Sequence, residues 1–276
     1  MKITDLTNCP VEPMISPEHF LMDHTFLFLV KGSMRGFDGK TNVLLRNGEC
    51  CMVVRNQLQR HSKIPVNGEF EKIIMPFSQE FLKEFREKYK YDTSFKNKNR
   101  SAFICLPKKG LLENYLQSLI PYYRGKSEIE SKYLRIKSEE LLLVLLEVKP
   151  ELAMILFDFG DPEKIDLLTF MQKNYKFNVS LEYLAFLSGR SLSTFKRDFK
   201  LLYNQTPSRW LVQRRLEEAH FLLENKRRRP GALYLELGFE NFSHFTQCFK
   251  KKYGYTPSSL AESGRMVSNE TEEPKS

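Results

Sequence analysis

The sequence predicts an α+β chain, with a strand-rich first half closed by helices and an all-α second half built from two similar helix-turn-helix units. Two observations carry this. Short apolar runs separated by Gly, Asn-Gly and Asp-Gly turns fill residues 25–77, the pattern of tightly connected strands. Farther on, Ser193–Ser208 (STFKRDFKLLYNQTPS) and Ser243–Ser258 (SHFTQCFKKKYGYTPS) spell one frame twice, fifty residues apart: S-x-F-x-x-x-F-K-x-x-Y-x-x-T-P-S.

The strands are read in 25–37, 41–57 and 70–77. Gly36 with Asp38-Gly39, Asn47-Gly48, and Pro65 with Asn67-Gly68 mark the turns between and within them. Four to seven short strands joined this way predict a small barrel or jelly roll. The period then changes. In 78–91, Ser78 and Glu80 open a helix that puts Phe81, Leu82, Phe85 and Tyr89 on one face. Helical patterns follow over 108–123 and 131–150; in the latter Leu134, Leu141, Leu142, Leu145 and Leu146 form a stripe wide enough for a core and a partner surface. The segment DFGDP (158–162) breaks the pattern and sets the expected boundary between a domain 1–160 and a domain 161–262. Helices are expected over 163–174, 180–187, 191–203, 207–225, 230–237 and 241–253. The polar tail 263–276 has nothing to bury and is expected to be disordered.

Composition narrows the function classes. The chain has 276 residues, 41% of them hydrophobic, enough for packed cores. No run approaches the length of a membrane span, and the N-terminus lacks the apolar stretch of a secretory signal. Five cysteines at 9, 50, 51, 105 and 248, with no C-x-x-C pair, fit reduced thiols in a cytoplasmic protein. Net charge is +9. Residues 161–262 carry 17 Lys and Arg against 11 Asp and Glu, whereas residues 1–160 carry 24 against 20. The excess of positive charge is therefore densest where the repeat lies, which suits a polyanionic partner.

Within each copy of the frame, Phe195/Phe199 and Phe245/Phe249 are spaced i, i+4 and turn one aromatic face inward. The other face carries Ser193, Thr194, Lys196, Arg197 and Lys200 in the first copy. In the second it carries Ser243, His244, Thr246, Gln247 and Lys250 to Lys252. Each copy is preceded by a short apolar-faced helix and a glycine, Gly189 or Gly238, which completes a helix-turn-helix layout. Thr206-Pro207 and Thr256-Pro257 are cap and first-turn signals for a following helix. The helix from Pro207 to Asn225 would be about 28 Å long at ~1.5 Å per residue, close to the roughly 34 Å repeat of duplex DNA. Two recognition helices on such a rod could enter successive major-groove segments.

The stretch LELGFENFSHFTQCFKKKYGYTPSSL (235–260) resembles the signature of AraC/XylS-type bacterial transcription regulators, and RWLVQRRLEEAHFLL (209–223) resembles their linker helix through Arg215, Ala219 and Leu223. The resemblance covers 163–260. It implies an α+β protein with an N-terminal cupin-like β-barrel and helical extension, followed by an AraC-type DNA-binding domain. EKIIMPFSQEFLKEF and LRIKSEELLLVLLE resemble the branch that activates type III secretion genes. By family position, base contact falls to Ser193, Lys196 and Arg197 in the first unit and to Ser243, Thr246 and Gln247 in the second. Thr194, Lys200, His244 and Lys250 fall nearer phosphates. Lys226–Arg229 could touch backbone between the units or be a solvated charge run. Unit two departs from the pattern, because Tyr234 stands where unit one keeps the small Ala185 four residues before the turn glycine, and Pro230-Gly231 opens its first helix.

The resemblance further implies an activator that works with RNA polymerase, and a homodimer joined through the N-terminal domain by the helices of 108–150. Its effector is a small molecule or a protein partner. For a small molecule, Phe26, Phe28 and Phe37 are candidate barrel contacts or plain core. An enzyme is disfavoured: five histidines (19, 24, 61, 220, 244) include no H-x-H pair, and no phosphate loop or nucleophile motif occurs. No metal or cofactor is expected. A pure protein-interaction module, or a partner-controlled regulator with no small-molecule effector, stands as the alternative; the first leaves the basic excess of 161–262 unexplained.

Overall fold

A computed structural model describes residues 2–6, 14–15, 19–91, 101–107, 110–123, 131–226 and 228–262. The expected tail 263–276 lies outside the described residues, as do Arg227 and the first two residues of the helix expected from 108. Contacts divide the chain into two compact units, Met1–Asp161 and Pro162–Ser276.

The first unit is three layers deep. Among the described residues ten strands, β1 (Lys2–Leu6), β2 (Met14–Ile15), β3 (His19–Phe20), β4 (His24–Lys31), β5 (Ser33–Phe37), β6 (Asn42–Leu45), β7 (Cys50–Val53), β8 (Leu58–Ile64), β9 (Phe70–Phe77) and β10 (Phe103–Leu106), make two antiparallel sheets. One has the order β1-β9-β4-β7-β10; the other is β2-β8-β5-β6, with β3 also paired to β8. Strand alternation sorts the side chains of the first sheet. Leu27, Leu29, Cys51, Val53 and Phe103 look inward to meet Met34 and Leu45 of the second sheet, forming the core between the sheets. Phe26, Phe28, Met52, Ile73, Met75 and Phe77 look the other way, onto helices α1 (Gln79–Tyr89), α2 (Leu111–Tyr123), α3 (Ser131–Val148) and α4 (Ala153–Leu156).

This alternation decides between two readings of the barrel phenylalanines. Phe26 and Phe28 lie under the helices, and Phe37, on the outer side of the second sheet, sits beneath the Arg60 guanidinium, 5.4 Å from its ring centre. None of the three lines the space between the sheets.

The helical layer is built as the periodicity predicts. Ser78 caps α1 by accepting from the Phe81 amide at 3.2 Å. Leu141, Leu142, Leu145 and Leu146 of α3 are all buried against the sheet. The core uses the whole leucine stripe, and the outward edge of α3 is left with Tyr133, Ile136 and Leu143, of which Ile136 is 64% exposed.

The second unit is all-α: α5 (Leu167–Asn174), α6 (Leu181–Leu187), α7 (Leu192–Tyr203), α8 (Pro207–Lys226), α9 (Pro230–Glu236) and α10 (Phe242–Tyr253). The first of these starts four residues later than the expected 163, because Asp166 is its cap, accepting from the Thr169 amide at 2.7 Å. The other boundaries match the periodic segments to within a residue or so. Ser180, Ser191 and Asn241 cap α6, α7 and α10 through their side chains, each satisfying one amide of an open first turn.

Candidate nucleic-acid interface

The two helix-turn-helix heads, α6-α7 and α9-α10, hang on α8, which at 20 residues is about 30 Å long. Its first half packs the first head: Trp210 meets Phe199 edge-on at 5.7 Å and Tyr203 at 5.0 Å between ring centres. Its second half packs the second head, where Leu216, Ala219 and Leu223 share a core with Leu233, Leu237, Phe245 and Phe249.

Between those halves lies Arg215, which is buried. Its Nε donates to the Tyr175 carbonyl at 2.7 Å, Nη2 to the Phe177 carbonyl at 2.8 Å and Nη1 to the Gly238 carbonyl at 2.7 Å. The first two acceptors follow the end of α5; the third is the turn of the second head. A buried cation is tolerated when its donors are met, and here meeting them clasps the segment after α5 and the turn of the second head to the rod. The sequence resemblance put Arg215 in the linker frame; the clasp itself joins residues 38 and 23 positions apart and left no local signal to read.

Both turn glycines are required by conformation and by space. Gly189 has φ +68°, and a Cβ there would stand 2.4 Å from the Glu163 carbonyl carbon; Gly238 has φ +80°, and a Cβ would stand 2.7 Å from the Lys176 carbonyl oxygen. Positive φ with no room leaves glycine alone. Tyr234, which replaces the small residue of the first head, is accommodated by turning its ring edge-on to Phe242, 5.8 Å between centres.

On α7 the expected reading stripe is open. Ser193, Lys196, Arg197 and Lys200 are exposed along one face while Phe195 and Phe199 are fully buried on the other. Thr194 is half-buried, its hydroxyl accepting from Ser191 at 3.0 Å. Arg197 rests against Asp198 at 3.4 Å. Asp198 is itself held by Arg190 at 3.2 Å, and that hydrogen bond, more than the nearby Lys164 and Arg197, keeps its carboxyl below the usual range. Arg190 also donates to the Ile165 and Ser188 carbonyls, so Asp198 is anchored from the inner side and Arg197 meets it from solvent.

On α10, Ser243, His244, Gln247 and Lys250 are exposed. Thr246 departs from the expectation: it is half-buried, and its hydroxyl is buried without a hydrogen-bond partner. Thr246 and Lys196 occupy equivalent helical positions at the edge of the buried face. A long lysine carries its charge from that edge to solvent, whereas a threonine hydroxyl stays beneath it. Of the lysine run, Lys252 is tied back to α8, its amine 3.2 Å from the Gln213 carbonyl and 3.0 Å from Glu217; Lys250 and Lys251 are left on the surface. Of the charge run after α8, Arg228 pairs with Glu236 at 2.7 Å.

Among the described residues no group of three His, Cys, Asp or Glu side chains could hold a metal ion, and no helix is long and apolar enough to cross a membrane.

Comparison with known proteins divides the chain in the same two regions. Residues 24–157 match the ExsA N-terminal regulatory domain, and residues 184–263 match a helix-turn-helix domain family. The chain is 34% identical over 136 residues to the virulence regulon transcriptional activator VirF of Yersinia enterocolitica, a match covering 48% of this chain and 50% of that one. A VirF from Yersinia enterocolitica serotype O:8 is 28% identical over 71% of this chain and 69% of its own length. The HTH-type transcriptional regulator ExsA of Pseudomonas aeruginosa is 33% identical over 45% of each chain. In the first and third of these comparisons the chain spans half or less of the relative's length.

Proposed function

The chain belongs to the AraC-type helix-turn-helix transcription regulators, and from that premise we propose that it is a sequence-specific activator whose two heads read adjacent major-groove segments. The observation that carries the reading is the exposed stripe Ser193, Lys196, Arg197, Lys200 on a helix whose opposite face is locked to α8, with a second such helix on the same rod. In the first head Lys196 and Arg197 donate to guanine edges, as their chemistry suits, with Ser193 beside them. In the second, Gln247 and Ser243 face bases, and Gln247 suits adenine. Thr194, Lys200, His244 and Lys250 contact phosphates and set register. Thr246 is assigned to packing.

The first unit is the regulatory half of the same reading. It joins two copies through the outward edge of α3, Tyr133, Ile136 and Leu143, with α2 beside it, and answers to an effector. The dimer then works on RNA polymerase in the cytoplasm. The test is fluorescence anisotropy with a duplex selected from a random pool. Log affinity is expected to fall linearly with log salt concentration, and Arg197→Ala is expected to weaken the selected duplex far more than a scrambled one. Absence of duplex binding at low salt sinks the proposal, and equal losses on the two duplexes return Arg197 to a phosphate contact.

A further inference from the structure

The inner face of β8 is out of keeping with the core around it. Strand alternation puts Gln59, His61 and Lys63 on one face, and that face looks into the space between the sheets. The His61 ring stands edge-on to Phe103, 5.5 Å between centres, and the Lys63 amine lies 5.9 Å from the centre of the Phe70 ring; both phenylalanines belong to the inter-sheet core. Lys72 enters the same space from the opposite sheet. Its neighbours Ile73 and Met75 alternate with it, Ile73 facing the helices, and its amine is close enough to the inter-sheet Cys51 and to Lys63 to feel both. Burial first, and the Lys63 charge second, bring the Lys72 amine down to about 8.

Among the described residues no carboxylate pairs with either amine. Both lysines are half-buried, at the open end of the row. At its closed end Gln59 is fully buried, and neither its amide oxygen nor its amide nitrogen has a hydrogen-bond partner. Two like charges crowded without a counter-charge, and an orphaned buried amide, each weigh against folding. Together they are complementary to one kind of molecule.

We propose that Gln59, His61, Lys63 and Lys72 form a binding site for a small organic anion, its acidic group between the two amines and its far polar group on the Gln59 amide. Gln59 and Lys63 are four residues apart on a strand, about 13 Å between Cα atoms, and their long side chains take up part of that span, so the molecule is a short chain with a polar group at each end and His61 and Phe103 beside its body. The inference rests on the first unit being the regulatory half and deepens that reading by giving the effector a chemical class.

The test uses the full chain with its lysines carrying 13C-methyl labels, titrated by NMR with glutarate or inorganic phosphate against sodium chloride of equal ionic strength. Glutarate is expected to shift the Lys72 signal saturably and to raise its titration midpoint by about one unit or more, through the added counter-charge. Lys63→Met is expected to abolish the response. Gln59→Leu, which removes only the orphaned amide, is expected to weaken glutarate at least fivefold while leaving phosphate unaffected. No shift beyond that of chloride overturns the site, as does a glutarate response indifferent to both variants. Duplex binding by the unlabelled protein is measured alongside: its retention without an anion response overturns this inference alone, and its absence overturns the proposed function instead.

Discussion

In the first head Lys196 and Arg197 stand where the second has Thr246 and Gln247, yet the two heads share their capping, their pair of buried phenylalanines and their turn glycine. What repeats is what builds the unit: a Ser or Asn at the cap, an aromatic face, a left-handed turn. What differs lies on the outward stripe and at the approach of the two helices, where Tyr234 replaces Ala185 and packs on Phe242. On the stripe the difference goes beyond charge, because where Lys196 gives way to Thr246 the side chain's length decides whether its polar atoms reach solvent at all. The second head has also spent part of its basic run inward, with Lys252 bound to α8. The heads are thus alike as scaffolds and unequal as surfaces.

The largest effect expected tests what ties the second head to the rest of its unit. Arg215→Ala leaves the Tyr175, Phe177 and Gly238 carbonyls without their donor, and about 3–5 kcal/mol of the second unit's stability should go with it, read as a lower urea midpoint. Binding should then fall through both heads. A variant protein that stayed as stable as its parent would mean that the clasp is incidental and that the heads are independent.

Next comes what they do not share. Arg197→Ala should lose roughly 1–3 kcal/mol on the selected duplex, and Gln247→Ala less, so the ratio of the two losses by anisotropy measures the inequality directly. Equal losses would make the second head a full reader despite its poorer stripe.

The smallest effect isolates one hydroxyl. Thr246→Val keeps the shape and removes an unpartnered buried polar group, so it should stabilise the fold by about 1 kcal/mol in thermal unfolding while leaving duplex affinity unchanged. A tenfold loss of affinity would put the Thr246 hydroxyl back on the bases.

Much of this was legible in the chain, for reasons that differ by region. Phe195/Phe199 and Phe245/Phe249 announce their helices because the i, i+4 period and the caps beside them are local. The start of α5 at Leu167 was less so, since Pro162 and Asp166 both look like openings and only the Thr169 amide decides between them. Thr246 could not be assigned from its position, because the edge of a buried face is set by what packs there. Phe26, Phe28 and Phe37 read as candidates for a pocket because strand runs buried on both faces hide which way each residue points. Arg215 matched a linker pattern, but its three acceptors come from separate elements. The polar row Gln59, His61, Lys63 is visible as an alternation in the sequence; that it faces inward is not.

The Arg215 clasp has a consequence for the DNA and not only for the protein. Gripped at its middle to the segment after α5 and to the turn of the second head, a rod of about 30 Å fixes where that head sits, and on the proposed reading the two heads must meet groove segments roughly 34 Å apart. On that reading any mismatch between the two spacings falls on the duplex axis, which would curve to meet both heads. Base pairs lying between the two contacted segments would then be selected for how cheaply they bend, and part of the operator would be recognised by stiffness at positions no side chain touches.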